Sequence, residues 1–197
     1  MMHRFFNLIV PRTRLNKSLR ILVTINAALV FVMGMFGPFY AVFVERLGGD
    51  IRLIGLSWAL YAIVAGILMI FFSRWELRVK EQELLLSLGY FLMSAAFLSY
   101  AFMNNIPQLI MTQVLLGIAV AVATPVMDSL YTAHTTREEA IAQWGGRDGF
   151  SAIASGVAAL IAGVLIQGFG YGTIFMLMAV IMTFLGIYVW RLPREAL

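Results

Sequence analysis

Two stretches of this chain, residues 84–127 and 149–190, each run for more than forty residues without a single Asp, Glu, Lys or Arg. A helix crosses a hydrocarbon core of about 30 Å in roughly 20 residues, so each stretch has room for two crossings. Shorter uncharged runs at 21–44 and 53–73 have room for one each. The long runs divide where turn-formers gather, at Asn104-Asn105-Ile106-Pro107 and at Gly168-Phe169-Gly170-Tyr171-Gly172. Six spans are therefore expected, near 21–44, 53–73, 84–103, 106–127, 149–168 and 171–190. A basic cytoplasmic segment, 1–20, precedes them and a short tail, 191–197, follows. Composition agrees: 61% of the 197 residues are apolar and 12% charged, against about 25% charged in a soluble domain. An ordinary soluble enzyme, a nucleic-acid-binding domain and a disordered tail are excluded. The expected surroundings are a lipid bilayer, with no nucleic-acid partner.

Within a bilayer the backbone must satisfy its own hydrogen bonds, which leaves helices or a closed barrel. Barrel strands alternate apolar and polar residues over about ten positions. The one alternating stretch here, 117–123, alternates only in size and holds no polar residue. An all-α membrane protein of six transmembrane helices is expected, forming one domain over 21–190.

Orientation follows from the basic residues. Arg4, Arg12, Arg14, Lys17 and Arg20 precede the first span. Arg74, Arg78 and Lys80 follow the second, Arg137 and Arg147 the fourth, and Arg191 and Arg194 the sixth. These twelve share one side, and only Arg46 and Arg52 fall on the other. Basic residues mark the cytoplasmic side, so both termini are expected inside, in the cytoplasmic (inner) membrane. The first apolar run is longer than the ~7–15 residues of a signal-peptide core, which argues for a retained helix. Residues 4–10, ahead of Pro11, suit an amphipathic strip along the headgroups.

The polar stretch 128–148 has its own logic. Thr136 and Glu139 have capping-box spacing, which predicts a short helix closing at Gly145-Gly146 with Trp144 at the interface. Asp148 then stands where it could cap the fifth span.

Signatures of an enzyme are absent. With no cysteine there is no thiolate nucleophile. Gly55-Leu56-Ser57 lies in a span, but His3 and His134 lie outside the spans, so a base in reach of Ser57 is missing. Two distant histidines and Glu138-Glu139 make poor zinc ligands, and there is no Gly-rich phosphate loop. No catalytic role, metal or cofactor is expected.

The polar residues and helix breakers point elsewhere. Asn26 in the first span and Thr112, Gln113 and Thr124 in the fourth are the deeper polar side chains. Each could simply hydrogen-bond a neighbouring helix, worth about 0.6 kcal/mol on average. Together they would line a path for a neutral or weakly polar solute, since no ionisable group is read at mid-depth and Asp128 is the nearest. Gly34, Gly37 and Pro38 interrupt the first span late, and Pro125 the fourth. Breaks at matching places in two half-chains suggest two inverted three-helix repeats. Ser155, Ala159 and Gly163 make a small-residue face at four-residue spacing that should meet another helix.

At this point a family resemblance enters. Pro38-Phe39-Tyr40 through Val44-Glu45-Arg46-Leu47-Gly48-Gly49-Asp50 to Leu53-Ile54-Gly55-Leu56 resembles the first hairpin of the major facilitator superfamily. Residues 151–163, then Gly168-Phe169-Gly170-Tyr171 and Thr173-Ile174-Phe175, are similar to its fifth and sixth helices, with Trp144 and Asp148 alongside. The resemblance extends from about Arg20 to Arg191. The family's Asp-Arg-x-Gly-Arg-Arg loop is reduced here to Ser73-Arg74-Trp75-Glu76-Leu77-Arg78. The arginine that many proton-coupled members carry in helix four falls on Gln113. Of the helix-five Gly-Pro-x-x-Gly-Gly element only Gly163 is left.

The resemblance implies half of a twelve-helix, alternating-access transporter of a small solute; because six spans put both termini on one side, a second copy docked in parallel with twofold symmetry is expected to complete it. It implies that helices one and four line the cavity, making Asn26, Gln113 and Thr124 candidate substrate contacts. Arg74, Arg78, Asp128 and Asp148 are candidates for a cytoplasmic gate. The alternatives are one half of a heteromeric transporter, or a non-transporting interaction or assembly subunit.

Overall fold

The computed structural model describes residues 17–76, 79 and 81–192, with 73–76 as backbone alone. The expected amphipathic strip at 4–10 lies outside the described residues, as do most of the N-terminal segment and the end of the tail. The order of elements is α1 (Lys17–Phe36), a 3-10 turn (Gly37–Phe39), α2 (Tyr40–Arg46), α3 (Ile51–Glu76), α4 (Gln82–Ala101), α5 (Ile106–His134) and α6 (Ala140–Trp190). Among the described residues there is no strand. Five helices are long and apolar enough to cross a membrane: α1 with its continuation to Arg46, then the first 22 residues of α3, α4, α5 and α6.

Local chemistry sets the breaks. Pro38 sits in the first turn of the 3-10 segment, where its missing N–H leaves no bond unmade. The chain leaves α2 through Gly48, whose φ of 85° suits glycine, and α3 opens with Asp50 Oδ1 accepting from Leu53 N at 2.9 Å. At the start of α5, Asn105 Oδ1 accepts from Gln108 N at 3.0 Å while Gln108 Oε1 accepts from Asn104 N at 2.8 Å, a reciprocal cap.

Both expected spans at 149–168 and 171–190 fall within α6. Its 51 residues would measure about 76 Å if straight. They are not straight, because Gly170 takes φ 80° and ψ 176°, a non-helical conformation where two helices meet. The arms are 140–169 and 171–190.

Four local expectations need correction. Pro125 lies inside α5 without ending it, and the helix continues to His134. A proline costs one backbone bond, and packed neighbouring helices allow a spanning helix to carry that loss. No capping box forms at Thr136: Glu139 precedes α6 with no side-chain cap and instead accepts from Gln143 Nε2 at 3.1 Å, while Gln143 Oε1 accepts from Thr136 N. Helix α6 runs straight through Gly145-Gly146, and Asp148 stands exposed within it rather than capping it. Glycine inside a helix costs only about 1 kcal/mol, and the bonds of Arg147 and Ser151 to neighbouring helices hold the turns that follow.

The helices pack in a chain of neighbours: α3 on α5, α5 on α4, α4 on α6, and α6 on α1. Small residues make the closest approaches. A methyl group added at Gly34 would lie 2.6–2.8 Å from Ser155, one at Gly89 2.7 Å from the Cβ of Ala123, and one at Gly117 2.9 Å from the carbonyl of Tyr61. Leu22, Met35, Leu86, Phe97, Phe175 and Met178 fill the core between them. Helix α3 is the least covered, with Leu56, Ile63, Ile67, Ile70 and Phe71 exposed and Ser57 and Ala65 buried.

Candidate functional site

Two buried polar networks hold the bundle together across helices. The first centres on Arg147 of α6, which is only 9% exposed. Its Nη2 donates to Asp128 Oδ1 of α5 at 2.8 Å and to Asn26 Oδ1 of α1 at 2.9 Å. Asn26 Nδ2 in turn donates to Ser151 Oγ, one turn beyond Arg147, at 2.7 Å. The guanidinium carbon lies 4.8 Å from the Trp144 ring centre and 5.0 Å from that of Tyr131, within cation–π range. Tyr131 is itself anchored, donating to the carbonyl of Gln143 at 2.6 Å. Three helices thus converge on one cation.

A buried charge is tolerated when it is paired and hydrogen-bonded. Here the pairing is uneven. The Asp128 side chain is 46% exposed, whereas Arg147 is enclosed, and its buried Nε has no acceptor among the described residues. Along α5, Asp128 is 22 residues beyond Ile106, about 33 Å of helix. The network therefore sits at the end of the bundle away from the Asn105 and Gly170 turns.

The second network centres on Tyr40 of α2. Gln113 Nε2 of α5 donates to the Tyr40 hydroxyl in a short bond, and the hydroxyl meets Ser57 Oγ of α3 at 2.5 Å. Ser57 donates to the carbonyl of Leu53 at 2.6 Å. With the amide and Ser57 both donating, the Tyr40 proton points to Ser57, and the bonds run in one direction from α5 through α2 to α3. Rings surround this hub: Phe36 at 5.3 Å and Trp58 at 5.4 Å from Tyr40, edge-on. Deeper in, Phe36, Phe43, Tyr100 and Phe175 form one cluster with centroids 4.9–6.1 Å apart.

The residues singled out in the sequence distribute over these networks. Asn26 belongs to the Arg147 network and Gln113 to the Tyr40 hub, each held by protein partners, and Thr124 is half-buried on α5. The three do not meet in one place. Asp128 pairs with Arg147, while Asp148 is exposed on α6. Arg78 and the side chain of Arg74 lie outside the described residues. Gly34 faces Ser155, and a methyl group added at Gly163 would lie 3.4 Å from the Phe39 ring. Ala159 lies half-buried between Ser155 and Gly163. Gly37 and Pro38 form the 3-10 turn, and a methyl group at Gly37 would meet nothing within 4 Å. Pro125 is inside continuous helix.

Comparison with known proteins decides the family. The Major Facilitator Superfamily model matches residues 22–197. The chain belongs to the major facilitator superfamily. It is an integral membrane protein of a transporter family, its apolar helices matching that assignment. No curated protein and no solved structure matches it.

Sequence reasoning missed Arg147, Ser151, Tyr40 and Ser57 as site residues. For Arg147 a signal was present. Stepping back by four from Gly163, Ala159 and Ser155 reaches Ser151, Arg147 and Gln143. That series is one ridge of side chains along the helix, and the last three are buried.

Proposed function

We propose that the chain supplies six membrane-spanning helices of a secondary transporter that moves a small solute by alternating access. The family match carries the transporter class, and the break at Gly170 supports six crossings, with one crossing in each arm of α6. The pattern of packing supports two inverted three-helix repeats. Taking α1, α3 and α4 as one set and α5 with the two arms of α6 as the other, the first helix of each set packs on the second of the other. Asn26 bonds Ser151 in one such pair, and Gly117 abuts Tyr61 in its counterpart. The third helices pack on each other through Ser94 and Thr183, 2.7 Å apart. Exchanging the two sets leaves this pattern unchanged, as a twofold axis in the membrane plane requires.

A second copy of the chain supplies the other six helices in this reading, with both termini cytoplasmic and the protein in the inner membrane. Exposed apolar faces on α3 (Ile63, Ile67) and on the first arm of α6 (Ile153, Val157, Leu160) are the surfaces offered to a partner or to lipid. Because the sequence has no cysteine, single engineered cysteines report cleanly. Mass measurement in nanodiscs should give a dimer. Cross-linking protomers at the cytoplasmic side should abolish flux while leaving assembly intact. A monomer that transports, or unchanged flux after cross-linking, refutes the rocking dimer.

One observation favours a different role. Asn26 and Gln113 are each satisfied by protein partners, as expected of residues that only pack helices in an assembly subunit. Stabilisation of the purified chain by a solute separates the two, because a ligand that binds only the folded state raises its stability. The expectation of a neutral solute rested on finding no ionisable group at mid-depth, and Arg147, paired with Asp128 at the end of the bundle, adds a buried cation which that reading did not weigh.

A further inference from the structure

We propose that Arg147 is a recognition point for a small carboxylate-bearing solute, and that Asp128 is the counter-ion which this solute displaces. The inference deepens the transporter reading and rests on it. Nε and Nη2 share one edge of the planar guanidinium, the edge that receives both oxygens of a carboxylate in a two-bond fork. Asp128 and Asn26 both accept from Nη2, at 2.8 and 2.9 Å. Nε on the same edge is buried and has no acceptor among the described residues. The edge is therefore half used, and a carboxylate replacing Asp128 would complete it.

The two partners are unequally held. Arg147 is fixed by Asn26, by the Trp144 and Tyr131 rings and by burial to 9% exposure. Asp128 has a side chain 46% exposed. A charged group that exposed in a membrane-spanning bundle faces water, not hydrocarbon, so a solute reaches the pair from the Asp128 side. A neutral solute has no charge with which to displace the aspartate. Displacement also breaks the ion pair between α5 and α6 and leaves their Tyr131–Gln143 bond in place, so occupancy and one of the helix contacts are coupled at one residue.

The test uses the full purified chain in detergent at fixed ionic strength. The probes are benzoate and succinate, with benzamide and succinamide as uncharged mimics of the same shape. Thermal unfolding midpoints should rise with the anions and stay unchanged with the amides. Asp128→Asn removes the competing charge and should tighten the apparent anion affinity at least tenfold. Arg147→Lys keeps the charge but loses the two-donor edge, and should weaken it at least tenfold.

Equal responses to anions and amides, or no tightening in Asp128→Asn, overturn the proposal. If Arg147→Lys does not fold, the Asp128→Asn arm decides alone, read as tightening for benzoate and succinate over chloride, since the uncompensated arginine left by a merely structural ion pair gives no preference for carboxylate over chloride. Stabilisation by phosphatidylglycerol but by neither soluble anion also overturns it, because the edge then takes a lipid phosphate. Anion binding without flux of succinate into proteoliposomes supports the site while refuting the transporter reading. Flux without anion preference does the reverse.

Discussion

Gly34→Ala is the sharpest test of the packing described here. The added Cβ would lie 2.6 Å from Ser155 Oγ, 2.7 Å from its Cα and 2.8 Å from its carbonyl oxygen. A hydroxyl can rotate away, but a Cα and a carbonyl oxygen move only with the helix. Ordinary contact begins at 3.4 Å, so α1 and the first arm of α6 must separate by about 0.7 Å at this point. A gap of ~0.5–1 Å forfeits a quarter to a half of the dispersion attraction of each contact along it. Overpacking of this kind costs about 1–3 kcal/mol, or roughly 2–12 °C in midpoint for a chain of this size. The assay is thermal unfolding in detergent followed by size-exclusion fluorescence. Gly66→Ala is the control: a Cβ there meets nothing within 4 Å, and alanine gains up to about 1 kcal/mol of helix propensity. Adding Ser155→Gly to Gly34→Ala should rescue only in part, because the backbone atoms remain. A Gly34→Ala protein as stable as the parent, or full rescue by Ser155→Gly, would refute this account of the interface.

Tyr40→Phe should cost about 1–3 kcal/mol by stranding the buried Gln113 amide, and the double variant Tyr40→Phe/Gln113→Leu should lose less than the single one; thermal midpoints compare them. Gly170→Ala should cost about 1–3 kcal/mol through backbone strain alone, since a Cβ there meets nothing within 4 Å; Gly172→Ala, at 3.7 Å from the Ala101 carbonyl, should be tolerated. Asn105→Ala should lose about 1 kcal/mol with the cap of α5, visible as faster amide exchange in its first turn, whereas Asn105→Asp should not.

What could be read in the sequence was what each residue carries by itself. Hydropathy and charge belong to single side chains, so the uncharged runs find the helices to within a few residues: 84–103 against Gln82–Ala101, and 53–73 against Ile51–Glu76. The small-residue face of 155–163 is likewise a property of one helix. Arg147 was legible as a charge but not as a site. Its partners lie 121 and 19 positions away in Asn26 and Asp128, and Gly145-Gly146 before it look like a helix end. Whether two glycines end a helix depends on what the following turns bury, which is settled by tertiary packing. Pro125 misleads for the same reason: its local cost is real, and the surrounding helices outweigh it. Tyr40 and Ser57 give no advance sign, because a tyrosine after a proline turn and a serine in a span acquire a role only when Gln113 arrives from α5.

The crossed pairing of the two helix sets has a consequence for how such a protein is made. Neither set keeps its strongest contacts to itself: α1 lies on the first arm of α6, α3 on α5, and α4 on α5 and the second arm of α6. During synthesis the first three helices enter the bilayer with few partners, and they remain loosely associated until α5 and then the two arms of α6 follow. Severing the connection between α4 and α5 should therefore yield two pieces that are unstable apart and stable when produced together. The bundle is completed late and all at once, like a clasp whose two jaws have no grip until they close on each other.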